Sequence, residues 1–485
     1  MTEVKGIFDA MRTPPDAAAR ALITKAHAFS ERAHEGQKRF TGDPYFVHTF
    51  ETGKNLALFG MDAQTISAGL LHDVLEDAGV TEQDLEREFG KNITFLVTGV
   101  TKLGKLKYRG LERHVESMRK LFIATAEDPR VLLIKLADRL HNVKTLGGHT
   151  KPEKQQRIAL ETIEIFAPLA NRLGMGRLKG ELEDYAFPYA YPDEYKKVRE
   201  ILKEHGKVTE KHVEKVQRSI QKELAKEGFV HFTVDRRVKY LYSLYKKLLR
   251  HEMDIEKIYD IVALRIIVPN VADCYRVLGI VHSIWRPLPG RVKDYIALPK
   301  TNGYQSLHTT IFTGDGGIAE IQIRTEEMHQ AAEYGIASHL AYKEGLFSFL
   351  KRARTKQHKS LGWLNDILEL QKHMAEGEGD QYLENLKMDF FKDRVFVFTP
   401  KGDVIDLPED STPIDFAYAI HSDIGNHIGG TKVNSKMVAI DTKLKNGDIV
   451  EIQIRKDAHP SNKWVEHAKT TMARRHIKSA IQKKK

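Results

Sequence analysis

Four side chains near the start of the chain, His48, His72, Asp73 and Asp138, and two beyond its middle, Asp260 and Glu320, are of the types that hold divalent cations. In GLLHDVLEDAG, helical spacing sets His72 one turn from Glu76 and Asp73 one turn from Asp77, so polar groups project from an otherwise apolar helix. Burying them without partners is costly, and a divalent cation is the natural partner. A second helical segment, VLLIKLADRLHNVKTL, carries Asp138 and Asn142 at i, i+4, and His48 follows the apolar Tyr45-Phe46-Val47. Two imidazoles and two carboxylates accept Mn²⁺, Fe²⁺ or Zn²⁺, and carboxylate without thiolate favours Mn²⁺. Glu76 and Asp77 remain as acid and base groups for a water on that cation. Arg39, Lys144 and Thr145 flank these motifs as candidate phosphate ligands.

The second constellation is all oxygen. In AEIQIR the two-residue period of a strand puts Glu320, Gln322 and Arg324 on one face and Ile321 and Ile323 on the other. Asp260 opens the apolar strand DIVALRIIV, and if the two strands are neighbours, Asp260 and Glu320 share a Mg²⁺ that carries nucleotide phosphates. Cations crowd the same region: Arg237, Lys239 and Lys246, then Arg291, Lys293 and Lys300. Phosphoryl-type transfer relies on positioning and charge neutralisation, which such a density supplies. Asn302-Gly303 is a turn that presents Tyr304 to stack on a base, with Gln305 and His308 beside it.

The elements that must position these groups follow from pattern and punctuation. A chain of 485 residues exceeds one ordinary core and predicts about three units. Residues 1–193 show helical periodicity throughout, and 194–228 continue as a charged amphipathic helix or helix pair that bridges to the next unit. From 229 to 344, β-branched segments alternate with helical ones, which is the texture of a mixed α/β domain. Residues 345–388 read as a connector. From 389 to 455 a hairpin turned at Pro400-Lys401-Gly402, a helix at PIDFAYAIH and short strands make a small β-rich module. Residues 461–485 hold eight Lys or Arg against Glu466 alone, so 456–485 reads as a basic tail suited to nucleic acid or simply to solvent. The start of the chain has no apolar signal region, no run of about 18 apolar residues occurs, and the single cysteine, Cys274, forms no internal disulfide. A cytoplasmic protein without a membrane segment is expected.

The motifs HDVLEDA, KLADRLHNVKTL, APLANRLGMGRLKGELEDYAF, GRVKDYIALPKTNGYQSLHTT and EIQIRTEEMHQAAEYGIASH together resemble the long RelA/SpoT homologue family, and the His, His-Asp, Glu-Asp and Asp set resembles the HD phosphohydrolase superfamily. The resemblance implies three domains: an all-α HD hydrolase, an α/β nucleotidyltransferase-like synthetase and a small β-grasp-like TGS domain. It implies that Mn²⁺ on His48, His72, Asp73 and Asp138 serves removal of the 3′-pyrophosphate of (p)ppGpp, with Glu76 and Asp77 assisting the water and Arg39, Asn142 and Thr145 lining the pocket. It implies further that the β,γ-pyrophosphate of ATP moves to the 3′-hydroxyl of GDP or GTP, with Mg²⁺ on the catalytic Asp260 and Glu320 and with Glu320 also accepting the hydroxyl proton. Arg237, Lys239, Lys246, Arg291 and Lys293 would then hold phosphates, Tyr304 would stack on guanine, and Gln305, His308, Gln322 and Arg324 would complete the site. Arg291-Val292-Lys293-Asp294 is the basic form of a loop that accompanies bifunctional members of the family. His421 matches a TGS position associated with the tRNA end, so tRNA or ribosome contact through this module and the basic tail is implied.

Several positions depart from the family pattern. Phe40 stands where a basic residue is common, Tyr240 where histidine is, and Asn171 and Gly180 replace a histidine and a tryptophan. The sequence reads as a short member ending after the TGS module. A hydrolase that has lost synthesis, and a non-enzymatic RNA-associated regulator, are the competing expectations.

Overall fold

A computed structural model describes residues 2–101, 111–258, 261–300, 302–313, 317–338, 363, 367, 384–391 and 394–482, the side chains of 111–115 and 205–212 aside. Two compact units are formed: Met1–Lys107 with Glu116–Asn365, and Tyr108–Val115 with Asp366–Lys485. No helix among the described residues is long and apolar enough to cross a membrane.

The first unit opens with helices α1 (Lys5–Phe8), α2 (Ala17–Ala33), α3 (Phe46–Leu58), α4 (Ala63–Leu70), α5 (Val74–Asp77), α6 (Glu82–Val100), α7 (Leu111–Glu127) and α8 (Arg130–Lys144). Then follow α9 (Pro152–Glu161), α10 (Ala167–Arg172), α11 (Gly176–Ala190) and α12 (Pro192–Lys226). The starts obey local chemistry: Asp16, Asp62 and Thr81 accept the free N–H groups at the heads of α2, α4 and α6. Helix α8 is buried along most of its length, the apolar Val131, Leu132, Leu133, Ile134, Leu136, Ala137, Leu140 and Val143 together with the polar Asp138 and His141. Helices α3 and α4 approach closely because Gly53 and Gly69 face the contact. A Cβ on Gly69 would stand 2.3 Å from Leu56 Cδ1.

A five-stranded sheet follows, in the order β1-β2-β5-β4-β3, from β1 (Thr233–Val238), β2 (Val262–Val268), β3 (Lys293–Asp294), β4 (Leu307–Phe312) and β5 (Ile318–Thr325). Strands β2 and β5 are parallel neighbours and the remaining pairs are antiparallel. Helices α13 (Leu241–Arg250), α14 (Val271–Ile284) and α15 (Glu326–Tyr334) complete the unit. One face of the sheet carries Leu264, Ile266, Ile321 and Ile323, which share a continuous core with Val216, Ile220 and Leu224 of α12 and with Ala159, Ala186 and Phe187 of the preceding helices. Segment 194–228 is one helical run as far as Lys226, and its apolar stripe belongs to the sheet's core.

The second unit holds the hairpin β6 (Arg394–Phe398) and β7 (Val404–Pro408), turned where the Pro-Lys-Gly triplet predicts, and a sheet of β8 (Ile428–Val433), β9 (Lys436–Val438) and β10 (Val450–Ile454). Helix α16 (Pro413–Ile420) starts in a capping box between Thr412 and Asp415, and α17 (Ser422–Asn426) follows. The basic segment beyond 456 is not a loose tail over its described length. It forms α18 (Asn462–His467) and α19 (Thr471–Gln482), with Ala468, Ala473 and Ile477 buried against Ile414, Ala417 and Tyr418. Asp415 Oδ1 accepts from the N–H groups of Lys469 and Thr470 at 2.8 and 2.7 Å, and Asp389 Oδ1 from Thr471 at 3.0 Å.

Candidate active sites

The first turn of α3 places His48, the turn between α4 and α5 places His72 and Asp73, and α8 places Asp138. The segment that spacing reads as one helix breaks at this point: α4 ends at Leu70, and α5 begins only at Val74. The break brings His72 and Asp73 together. His72 Nε2 lies 3.1 Å from Asp73 Oδ2 and 3.8 Å from Asp138 Oδ1, and His48 Nε2 lies 3.5 and 3.2 Å from the same two oxygens. His48, His72 and Asp138 offer ligand atoms all within 4.8 Å of one another, and each is buried.

This donor set fits a cation. His72 Nδ1 stands 2.8 Å from the carbonyl of Gly69, and an N–H there leaves the Nε2 lone pair turned to the carboxylates. That nitrogen is buried and makes no hydrogen bond. Burial disfavours a charged His72, yet Asp73 and Asp138 outweigh it and push the imidazole up to about 8. Burial likewise opposes the Asp138 carboxylate, which Lys135 and His48 hold well below the usual range. A buried and a partly buried carboxylate facing two buried imidazoles call for positive charge between them.

Sequence reasoning missed three neighbours. His141 Nδ1 lies 2.8 Å from His48 Nδ1, and burial, with His48 and Arg39 close by, lowers it to about 3, so this ring is a neutral acceptor. Lys135 Nζ sits 2.7 Å from Asp138 Oδ2. The Tyr45 hydroxyl lies 2.8 Å from both Asp73 Oδ2 and Asp77 Oδ2, and its one proton serves one of them at a time. Both Lys135 and His141 stand three residues from Asp138 on α8, a helical neighbour spacing that could have found them as the i, i+4 spacing found Asn142. Tyr45 was hidden by its apolar company.

Around the cluster Arg39 gathers the expected pocket: Nη2 donates to Asn142 Oδ1 at 2.6 Å and Nη1 to Thr145 Oγ1 at 3.3 Å. Asn142 in turn donates to Asp138 Oδ1. Glu76 and Asp77 are exposed at the mouth. Lys144 points elsewhere, 3.7 Å from Glu181 and over the ring of Tyr185.

On the sheet, register aligns a polar row, Asp235, Arg265, Gln322, His308 and Lys293, and beside it Arg237, Ala263, Glu320 and Thr310. Glu320 Oε1 lies 3.2 Å from His308 Nδ1 and accepts from Gln322 Nε2 at 3.0 Å. Burial opposes its charge, yet the hydrogen bonds from His308 and Gln322 hold the carboxyl down at about 2. Arg324 is fully buried. Asp260 lies outside the described residues. The parallel pairing of β2 with β5 is the neighbourhood its expected role requires. Gly303 takes the left-handed conformation (φ +79°) that the Asn-Gly turn demands, and Tyr304 follows with its hydroxyl 2.8 Å from His308 Nε2. Lys300 lies over the rings of Tyr295 and Tyr304. Gln305 donates to the carbonyl of Ile296, and Asn302 to that of Asn171. Arg291 and Lys293 are exposed, Arg237 and Lys239 half-buried. Lys246 is drawn off to Glu183 at 3.4 Å. Arg265, which sequence reading passed over as a strand residue, sits in the row at the centre of this face.

Three family descriptions match in the order of these units: "HD domain" at 26–176, "Region found in RelA / SpoT proteins" at 236–346 and "TGS domain" at 395–454. A GTP pyrophosphokinase of Myxococcus xanthus is 46% identical over 464 residues, 95% of this chain and 60% of the relative. The chain belongs to the RelA/SpoT family. Other relatives agree: a guanosine-3′,5′-bis(diphosphate) 3′-pyrophosphohydrolase of Aquifex aeolicus is 47% identical across 95% of this chain and 64% of its own length. The bifunctional (p)ppGpp synthase/hydrolase SpoT of Escherichia coli K12 is 42% identical across 95% and 64%. This RelA/SpoT chain thus spans about three fifths of the length of the curated relatives it matches. Two of its departures from the family pattern meet in space: the ring of Tyr240 lies 2.1–2.5 Å from where a Cβ of Gly180 would stand.

Proposed function

We propose that this chain both makes and degrades (p)ppGpp. The observation that carries the reading is the presence of two separate constellations, an imidazole–carboxylate cluster buried among helices and a cation-rich polar face on a sheet. In the helical domain His48, His72, Asp73 and Asp138 would hold Mn²⁺, which supplies Lewis acidity and an activated water when bound. Arg39, steadied by Asn142 and Thr145, binds the phosphates of the leaving 3′-pyrophosphate. Asp77, linked to Asp73 through the Tyr45 hydroxyl, and Glu76 at the mouth exchange protons with solvent as the P–O bond breaks to give GDP or GTP and pyrophosphate. His141 keeps the His48 ring oriented by taking its Nδ1 proton in a hydrogen bond.

On the sheet, Glu320 with Asp260 would hold Mg²⁺, and the surrounding guanidinium and ammonium groups neutralise ATP. The 3′-hydroxyl of GDP or GTP attacks the β-phosphorus and gives up its proton to solvent, the bond to the α-phosphate oxygen breaks so that AMP leaves, and the β,γ-pyrophosphate is transferred. A carboxyl held at about 2 is a strong cation ligand and a weak base, so Glu320 serves binding ahead of proton transfer. Tyr304, presented by the Asn302-Gly303 turn, stacks on the acceptor base. The lone buried thiol of Cys274 suits a cytoplasmic protein. The exposed His421 and the basic α18–α19 segment suit contact with RNA, which would weaken steeply with salt.

Asp73→Ala is expected to lower (p)ppGpp hydrolysis at least ~100-fold, by loss of the cation. Its metal content measured by mass spectrometry should fall with it, while synthesis stays within about twofold. Glu320→Gln should do the reverse. If both variants keep both turnovers, the assignment is wrong; loss of hydrolysis alone in the unaltered chain would reveal a synthetase only.

A further inference from the structure

Four hydrogen-bonding atoms on the polar face of the sheet are buried and have no partner among the described residues: Arg265 Nε, Arg324 Nε, Arg324 Nη1 and Gln322 Oε1. One corner of each guanidinium is tied down. Arg265 Nη2 and Arg324 Nη2 both reach Glu333, at 3.2 and 3.1 Å from the same oxygen, Oε1. His329 Nδ1 accepts from Arg324 Nη2 as well, at 2.6 Å. Two guanidiniums on adjacent strands repel each other, and a carboxylate between them is what lets both stay charged and close. A planar group fixed at one corner is also fixed in direction, so its untied N–H edges point one way.

Glu333 stands on α15, and the helical domain grips that helix on either side of it. Arg12 lies 3.3 Å over the ring of Tyr334 and its Nη1 is 3.3 Å from Gln330 Oε1. At the other end the N–H of Ile336 donates to the carbonyl of Leu173 at 2.9 Å, and Gly335 comes so near that a Cβ would stand 2.0 Å from that oxygen. These contacts hold the backbone that carries Glu333.

We propose that Glu333 is a positioning residue of the transfer site: from a helix clamped by the neighbouring domain, it holds the guanidiniums of Arg265 and Arg324 charged and fixed in direction, so that their positive field lies under the polar face where the polyphosphate of ATP binds. This rests on reading the polar face as the transfer site. In the full chain, Glu333→Gln removes the charge at constant size. It should raise the KM for ATP in (p)ppGpp synthesis ~10-fold, the scale of one charge-assisted contact, with kcat within about threefold. Glu333→Asp, which keeps the charge, should recover part of the loss. Arg12→Ala, which removes the cation held over Tyr334 of α15, should raise the same KM ~3-fold through a looser clamp. Hydrolysis by the same preparations, unchanged within about twofold, reports that the fold is intact. An unchanged KM in Glu333→Gln, or a loss confined to kcat, overturns the proposal. An unchanged KM in Arg12→Ala overturns the clamp. An unaltered chain that makes no product overturns the transfer reading, and the proposal falls with it.

Discussion

Lys300 shows how one side chain can set a pH limit. Its ammonium lies 4.7 and 5.1 Å from the ring centres of Tyr295 and Tyr304, where burial, aided by Lys293, lowers it to about 8. Below that pH it is a cation able to meet phosphate, and above it a neutral amine. The KM for nucleotide in synthesis should therefore rise as pH passes from 7 to 9, and Lys300→Arg, charged throughout, should flatten the curve. The linkage sign is opposite for folding. The depressed value makes the stability contribution full above 10.5 and lost as pH falls through about 8, so the charge needed for binding is held at a cost to the fold. At this scale the sequence was informative where chemistry is local to a motif. His48, His72, Asp73, Asp138 and Asn142 converge as their types demanded. Lys144 and Lys246 show the limit: Glu181 and Glu183, on a helix distant in sequence, draw them into ion pairs. No spacing rule reveals such a competitor.

Among the elements, the contact of Gly180 with Tyr240 joins two departures from the family pattern that look independent in sequence. Alanine at a helical glycine normally adds ~0.5–1 kcal/mol of stability. Here its Cβ would enter the Tyr240 ring, and overpacking of ~1–3 kcal/mol outweighs the gain. Gly180→Ala should lower the midpoint of chemical denaturation, and the same change in a Tyr240→Ala background should raise it. Equal effects in both backgrounds would show that the ring simply moves aside. The C-terminal helices offer a second test. Asp415 is fully buried and serves Thr412 as well as Lys469 and Thr470, so Asp415→Ala strands several N–H groups at ~2–4 kcal/mol. Proteolysis should then release residues beyond 456 while hydrolysis persists. Helix periodicity could not foresee this docking, because charge dominates the segment and Ala473 and Ile477 supply only a narrow apolar stripe. For the same reason periodicity missed the break at residues 71–73: a His-Asp pair in a helical register reads as continuous until the two must face a partner on α8.

At the scale of the whole molecule, order and class of the units were legible because texture changes along the chain, from helical periodicity to β-branched alternation and then to a short hairpin module. Their joins were not. The stretch between residues 194 and 228 looks like a solvated spacer by charge, but Val216, Ile220 and Leu224 fill the same interior as Leu264 and Ile323 of the sheet and Phe187 of the preceding helices. This continuity governs how the polypeptide can be dissected. Cutting at the apparent seam, after residue 193, would leave Phe187 and its neighbours naked on one product and strip the strands of their cover on the other. Such halves should be recovered from expression as insoluble material, whereas a piece carried through residue 338 should stay in solution and melt in a single step.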